Sequence, residues 1–222
     1  MDLTVKICGL STEETLDAAL DAGADIVGFV FFPRSPRFIQ PGRAADLAKQ
    51  ARRRAKVAAL SVDMDDAALR DMVAALKPDW LQLHGKESAE RVAAVRQRFG
   101  VPVMKAIAVA TRTDLAAADA YSGAADMLLL DAKPPKDATR PGGNGHAFDW
   151  SILAGASLAL PYLLSGGLTP DNVAEAIRVT GTGGVDVSSG VETEPGRKDP
   201  ALIRAFIANA RAAVQPRQKV AS

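Results

Sequence analysis

The sequence predicts a closed (β/α)8 barrel, and three observations carry that prediction. Eight short apolar runs alternate with eight helical stretches along 222 residues. The repeat is about 28 residues, the size of one β/α unit in such a barrel. Glycine turns follow the seventh and eighth runs, where barrels of this kind build anion sites. The rival α/β architecture, an open doubly wound sheet, usually carries a G-x-G-x-x-G turn after its first strand. The first run here ends in Cys8-Gly9-Leu10-Ser11 and carries none.

The strands are expected at residues 3–7, 26–31, 57–62, 80–83, 103–107, 127–130, 162–164 and 184–187. Each is short and almost continuously apolar, as parallel strands covered on both faces are. The first helix is expected at 12–21, where Ser11-Thr12-Glu13-Glu14 supplies a cap and an acidic first turn. The second, at 41–51, opens on Pro41, which a first helical turn tolerates. Amphipathic stretches at 65–76, 87–99, 111–121, 170–180 and 200–213 follow, with a weaker candidate at 148–153. The segment 133–146 is the longest irregular one, rich in Pro and Gly, and reads as a lid over the active face. No linker divides the chain, so one catalytic domain is expected over 1–214, with a polar, frayed tail at 215–222.

Composition narrows the function. Hydrophobic residues make up 48%, enough for one well-packed core. Lys plus Arg (27) nearly balance Asp plus Glu (26), which gives no general reason to bind nucleic acid or an anionic membrane. One cysteine rules out an internal disulfide framework and suits a reducing cytoplasm. The N-terminus shows no signal-peptide pattern, and no apolar run is long enough to span a bilayer. Two histidines and one cysteine argue against a structural zinc site, and no metal or cofactor is expected. The partner expected is a small phosphorylated molecule, bound by a monomer or homodimer.

Chemistry concentrates at the strand ends. Cys8 closes the first strand, at the barrel face where catalytic groups sit. A lone cysteine is ordinarily a buried small hydrophobe, so its neighbours must decide its role. Asp131 follows Met127-Leu128-Leu129-Leu130, and Ala132-Lys133-Pro134-Pro135 after it starts no helix for it to cap. Alternation along each strand puts Asp131 on the face of Leu129 and Cys8 on the face of Lys6, so both enter one mouth. A carboxyl acting as an acid near neutral pH needs burial; a thiol acting as a base needs a cation nearby, and Lys6 is the candidate. Gly166 and Gly167 follow the seventh strand; Ser188, Ser189 and Gly190 follow the eighth. Glycine lets backbone N–H groups approach an anion, and serine adds donors, so the two turns together read as a phosphate cradle. Barrel closure also makes the first and eighth strands neighbours, which predicts that Lys6 and Asp186 pair below the mouth.

These residues resemble the phosphoribosylanthranilate isomerase family over nearly the full length. The matching stretches are Lys6-Ile7-Cys8-Gly9, Gly28-Phe29-Val30-Phe31 with Ser35-Pro36-Arg37, Gln82-Leu83-His84-Gly85, Leu130-Asp131, Gly142-Gly143 through Phe148-Asp149-Trp150, Leu164 to Leu168, and Val185 to Glu192. The resemblance implies Cys8 as general base, Asp131 as general acid, Arg37 as the partner of the substrate carboxylate, and the two glycine turns as the phosphate site. Arg34, close in sequence, competes for the carboxylate. His84 and Asp186 are candidate substrate contacts, with a hydrogen-bonded structural role open for His84. The chain departs from the family at Ala58-Ala59-Leu60-Ser61-Val62, where a Ser61 facing the pocket would make its wall smaller and more polar. Two rivals stand beside the isomerase reading. One is another sugar-phosphate barrel enzyme of tryptophan or histidine synthesis; the other is a non-catalytic phosphometabolite-binding barrel.

Overall fold

The computed structural model describes residues 3–134, 138, 140–145 and 147–214. The expected tail at 215–222 and part of the expected lid lie outside the described residues. Eight parallel strands close into a barrel in sequence order: β1 Thr4–Cys8, β2 Ile26–Val30, β3 Lys56–Ser61, β4 Trp80–Leu83, β5 Val103–Val109, β6 Met127–Ala132, β7 Tyr162–Leu164 and β8 Gly184–Val187. Closure runs through β1 and β8, with Lys6 opposite Asp186 in register.

The α-helices follow β1 to β5, β7 and β8: α1 Glu13–Asp21, α2 Pro41–Ala51, α3 Asp66–Leu76, α4 Ala89–Phe99, α5 Arg112–Asp119, α6 Val173–Thr180 and α7 Pro200–Val214. Their starts follow from short polar side chains that take up otherwise unpaired backbone N–H groups. Thr12 accepts from the N–H of Thr15, Asp65 from Ala68 and Ser88 from Arg91. Thr111 and Asp114 form a capping box at α5. Ends at Gly100 and Gly181 use the left-handed conformation that glycine accepts cheaply.

Four departures from expectation have identifiable reasons. Between β6 and β7 the weak candidate forms only a 3-10 turn, Trp150–Leu153, capped by Asp149. The stretch expected from residue 87 starts later, because Glu87 turns back to pair with Lys105 at 2.8 Å. The stretch expected from 170 begins at Val173, since Asn172 first folds onto the glycine turn before it. A small hairpin, β9 Glu192–Glu194 with β10 Arg197–Lys198, was not expected. Its turn residue Gly196 has φ of 88°, and a Cβ there would strike the carbonyl of Pro36, so the hairpin sits against the loop after β2.

Alternation along the strands divides the core. One large apolar cluster fills the space between sheet and helices, including Val5, Ile7, Phe29, Leu81 and Phe206. A second fills the barrel interior: Ile26, Ala58, Met104, Ala106, Leu129 and Leu163. Above that plug, towards the C-terminal strand ends, the interior turns polar.

Candidate active site

A cavity opens at the C-terminal ends of the strands. It is lined by Cys8, Arg37, Gln82, His84, Asp131, Gly166, Gly167, Asp186, Ser188 and Ser189, among others. Gly190 does not line it. That glycine instead lets the turn after β8 pack on the turn after β7, because a Cβ would run into the carbonyl of Leu168.

Cys8 is the last residue of β1 and is buried. Its neighbour in register is Gly28, and a Cβ at Gly28 would lie 2.9 Å from the thiol sulfur. Gly28 therefore makes the room that the thiol occupies. Directly below, Lys6 Nζ donates to Asp186 Oδ1 at 2.7 Å, the pairing expected from closure. Asp186 Oδ2 also accepts from the hydroxyl of Ser165 at 3.2 Å. Burial alone would pull the Lys6 ammonium pKa down, but the charges of Asp186 and Cys8 outweigh it and hold it above the ordinary value. Cys8 does not follow the expected direction. Burial pushes its thiol up and Asp186 adds to this, while Lys6 and Lys198 oppose the rise without reversing it. The cation is in place, but the dry site favours the neutral thiol in the free protein.

Asp131 lies within β6 rather than after it, and is buried. Its Oδ1 accepts from the N–H of Ala132 at 2.9 Å; its Oδ2 lies 3.3 Å from His84 Nε2. His84 Nδ1 in turn lies 3.1 Å from Gln82 Nε2. If the Gln82 amide donates there, the His84 proton sits on Nε2 and is offered to Asp131. His84 thus has both a place on the cavity wall and a structural partner. Gly142 closes over this pair: a Cβ there would lie 2.5 Å from both Asp131 Oδ2 and His84 Nε2.

Arg37 is buried and is held by Glu192, with Nε at 2.7 Å from Oε1 and Nη2 at 2.8 Å from Oε2. Nη2 also donates to the carbonyl of Gly143 at 3.3 Å, and Nη1 has no hydrogen-bond partner among the described residues. Arg34 is exposed and does not line the cavity, so of the two arginines only Arg37 faces it. Ser61 is fully buried but absent from the cavity wall; Leu60 and Val62 line it instead. The expected polar change of the pocket wall therefore does not occur, because alternation turns Ser61 to the other side of the sheet.

Residues of both glycine turns line the same opening. Gly166 and Gly167 have φ of 84° and 65°, a region open to glycine at little cost. Neither N–H donates to a protein acceptor among the described residues. Asn172 braces the turn, accepting from Thr169 N–H at 2.8 Å and donating to Gly167 O at 2.9 Å. Ser188 Oγ donates to Cys8 O at 3.1 Å, which ties the second turn to the end of β1.

The sequence left Glu192 and Lys198 without a role, although Glu192 sat in a matching stretch. Lys198 Nζ lies 2.7 Å from Glu192 Oε1 and donates to Ser188 O at 2.8 Å. The signal was a carboxylate directly after the second turn, but its partners depend on a hairpin that no periodicity marked. Gln82 and Arg140, both on the cavity wall, were also missed.

The family model for N-(5'-phosphoribosyl)anthranilate (PRA) isomerase matches residues 5–209. An N-(5'-phosphoribosyl)anthranilate isomerase of Rhodopseudomonas palustris (strain HaA2) is 64% identical over 212 residues, covering 96% of this chain and 97% of the relative. One from Bradyrhizobium diazoefficiens is 59% identical over 220 residues, covering 99% of each. The crystal structure of the phosphoribosyl anthranilate isomerase of Thermotoga maritima superposes with a TM-score of 0.85 at 36% identity, covering 95% of this chain and 99% of that one. A phosphoribosyl anthranilate isomerase in complex with reduced 1-(o-carboxyphenylamino)-1-deoxyribulose 5-phosphate superposes at 0.82 with 34% identity, over 95% of this chain and 99% of the other. The chain belongs to the N-(5'-phosphoribosyl)anthranilate isomerase family.

Proposed function

We propose that this protein converts N-(5'-phosphoribosyl)anthranilate to 1-(2-carboxyphenylamino)-1-deoxyribulose 5-phosphate, an Amadori rearrangement in tryptophan biosynthesis. The single observation that carries the reading is one cavity holding a buried thiol, a buried carboxyl, an arginine and two glycine turns. That set matches a substrate with a phosphate at one end and a carboxylate at the other. Membership of the family supports it.

In this reading Gly166, Gly167, Ser188 and Ser189 hold the phosphate through backbone N–H groups and hydroxyls. Gly190 acts indirectly, by letting the two turns meet. Arg37 offers Nη1 to the anthranilate carboxylate. Asp131, steadied by His84, protonates the ribose ring oxygen, and the sugar opens to a protonated Schiff base. Cys8 then removes the proton from C2. The Schiff base is cationic, so its formation adds positive charge to that of Lys6 and Lys198 and favours the thiolate when the proton must move. The enolamine that results tautomerises to the ketone. Asp186 serves chiefly by fixing Lys6 beneath the thiol.

The test is turnover of freshly prepared N-(5'-phosphoribosyl)anthranilate, followed by loss of anthranilate-type fluorescence. The purified protein should convert it. Failure of the folded protein to do so, with turnover of another sugar phosphate or none, would favour one of the two rivals.

A further inference from the structure

A guanidinium clasped by a carboxylate along one edge is a weakened anion receptor, because much of its charge is already matched. Arg37 is in that position, with Glu192 on Nε and Nη2. The same carboxylate is shared with a second cation. Lys198 Nζ lies 2.7 Å from Glu192 Oε1 and also donates to Ser188 O and Oγ at 2.8 and 3.1 Å. The Lys198 and Glu192 side chains are only 1% and 4% exposed, so water screens this cluster little. With Lys198 protonated, the three groups carry one net positive charge. With Lys198 neutral, they carry none. Lys198 does not line the cavity; it reaches a ligand through Glu192 and Arg37 on the carboxylate side and through Ser188 on the phosphate side.

We propose that Lys198 is a positioning residue that sets the charge of the carboxylate receptor: its ammonium takes up part of Glu192, leaving Arg37 net cationic towards an anionic carboxylate, so that recognition of that carboxylate requires the Lys198 proton. The proposal rests on the reading that Arg37 receives the substrate carboxylate.

The groups around Lys198 place its titration within reach of experiment. Burial brings the ammonium down to about 8, against the upward pull of Glu192; Arg37 lowers it further and Cys8 raises it. Arg140, which shares the Gly143 carbonyl with Arg37, adds another positive charge beside Arg37 and is within electrostatic reach of Glu192, but forms no hydrogen bond to Glu192 or Lys198. A carboxylate bound at Arg37 favours the charged ammonium, so ligand and proton bind with positive coupling. Between-site coupling of this kind is typically about 5–150-fold. The sign for folding is the opposite. A lysine whose folded pKa lies below its unfolded value lends increasing stability as pH rises from about 8 towards 10.5. Loss of affinity over that range is therefore not loss of fold from this group.

The experiment uses two ligands, reduced 1-(o-carboxyphenylamino)-1-deoxyribulose 5-phosphate and its analogue with phenyl in place of carboxyphenyl. Both carry the same phosphate, so the ratio of their Kd values isolates the carboxylate. Calorimetry from about pH 6.5 to about pH 9.5 should show the parent's preference for the carboxylate ligand falling as pH passes about 8. Lys198→Arg, charged throughout, should hold the preference at the alkaline end. Lys198→Met should lower the ratio of the two affinities by about 5–150-fold at neutral pH, with a flat profile, while any effect through Ser188 falls on both ligands alike. A preference that is flat with pH in the parent would overturn the proposal, and so would Lys198→Met keeping the parent's ratio. Should the Met variant not fold, the parent profile and the Arg variant decide alone. If the parent shows no preference at all, or does not turn over phosphoribosylanthranilate, the underlying reading of Arg37 fails first. A parent that does both, with a preference indifferent to Lys198, refutes this proposal only.

Discussion

Gly28→Ala tests the placement of the thiol without replacing any group of the mechanism. Gly28 lies on β2 beside Cys8, and its backbone is held by pairing on both sides. An added Cβ would lie 2.9 Å from the Cys8 sulfur and 3.3 and 3.4 Å from its Cα and Cβ. The approach to sulfur is closer than real Cβ atoms make, and both backbones are fixed in the sheet. The thiol must therefore turn away, by several tenths of an ångström to about 1 Å. Misplacement of about 1 Å at a reacting group can cost about 10²-fold. We expect kcat to fall about 10–100-fold, with KM within a few-fold of the parent, because neither the glycine turns nor Arg37 touches the added methyl. Overpacking should cost about 1–3 kcal/mol of stability, read by denaturant unfolding. The rate of alkylation of the chain's single cysteine should change in parallel. Gly42→Ala is the control, since a Cβ there meets nothing within 4 Å; it should leave activity unchanged and stabilise α2 by up to about 1 kcal/mol. Unchanged kcat in a destabilised Gly28→Ala protein would refute the placement of Cys8 as the base.

Three further outcomes are expected. Gly142→Ala drives a methyl between His84 and Asp131, and kcat should drop while product binding is largely kept; equal loss of both would mean that the loop, not the pair, was disturbed. Lys6→Met leaves Asp186 buried without its cation; stability should fall by about 3–5 kcal/mol, and Cys8 alkylation should need higher pH. Asp114 is held down to about 2, chiefly by the Ala110 N–H. Its folded pKa is below the unfolded one, so its contribution is present above about pH 4 and fades as pH falls through about 2. Asp114→Ala should cost about 0.5–2 kcal/mol at neutral pH, and the difference from the parent should vanish in acid; a gap that persists below pH 2 would sink the assignment.

Much of the barrel was legible because parallel strands buried on both faces write themselves as short apolar runs. Alternation then placed Lys6, Cys8 and Asp131 on the interior, and closure alone predicted the Lys6–Asp186 contact. What failed was set by tertiary context. Ser61 has no sequence signal for its face, since one residue of shift at a strand end reverses it. The direction of the Cys8 shift required knowing that burial outweighs Lys6. Lys198 was illegible because two strands of three and two residues, β9 and β10, carry it to the back of the site. Glu87 begins an apparently helical stretch, yet its carboxylate serves Lys105 and the N–H groups of Asp63 and Gly85.

The most direct test of the account is the turnover of Cys8→Ala and Asp131→Asn, measured beside their affinity for the product. General acid and base groups contribute typically about 10²–10⁴-fold each, so each variant should lose that much kcat while product Kd moves only a few-fold. Near-parent turnover in either variant would contradict the claim that this thiol and this carboxyl carry the rearrangement.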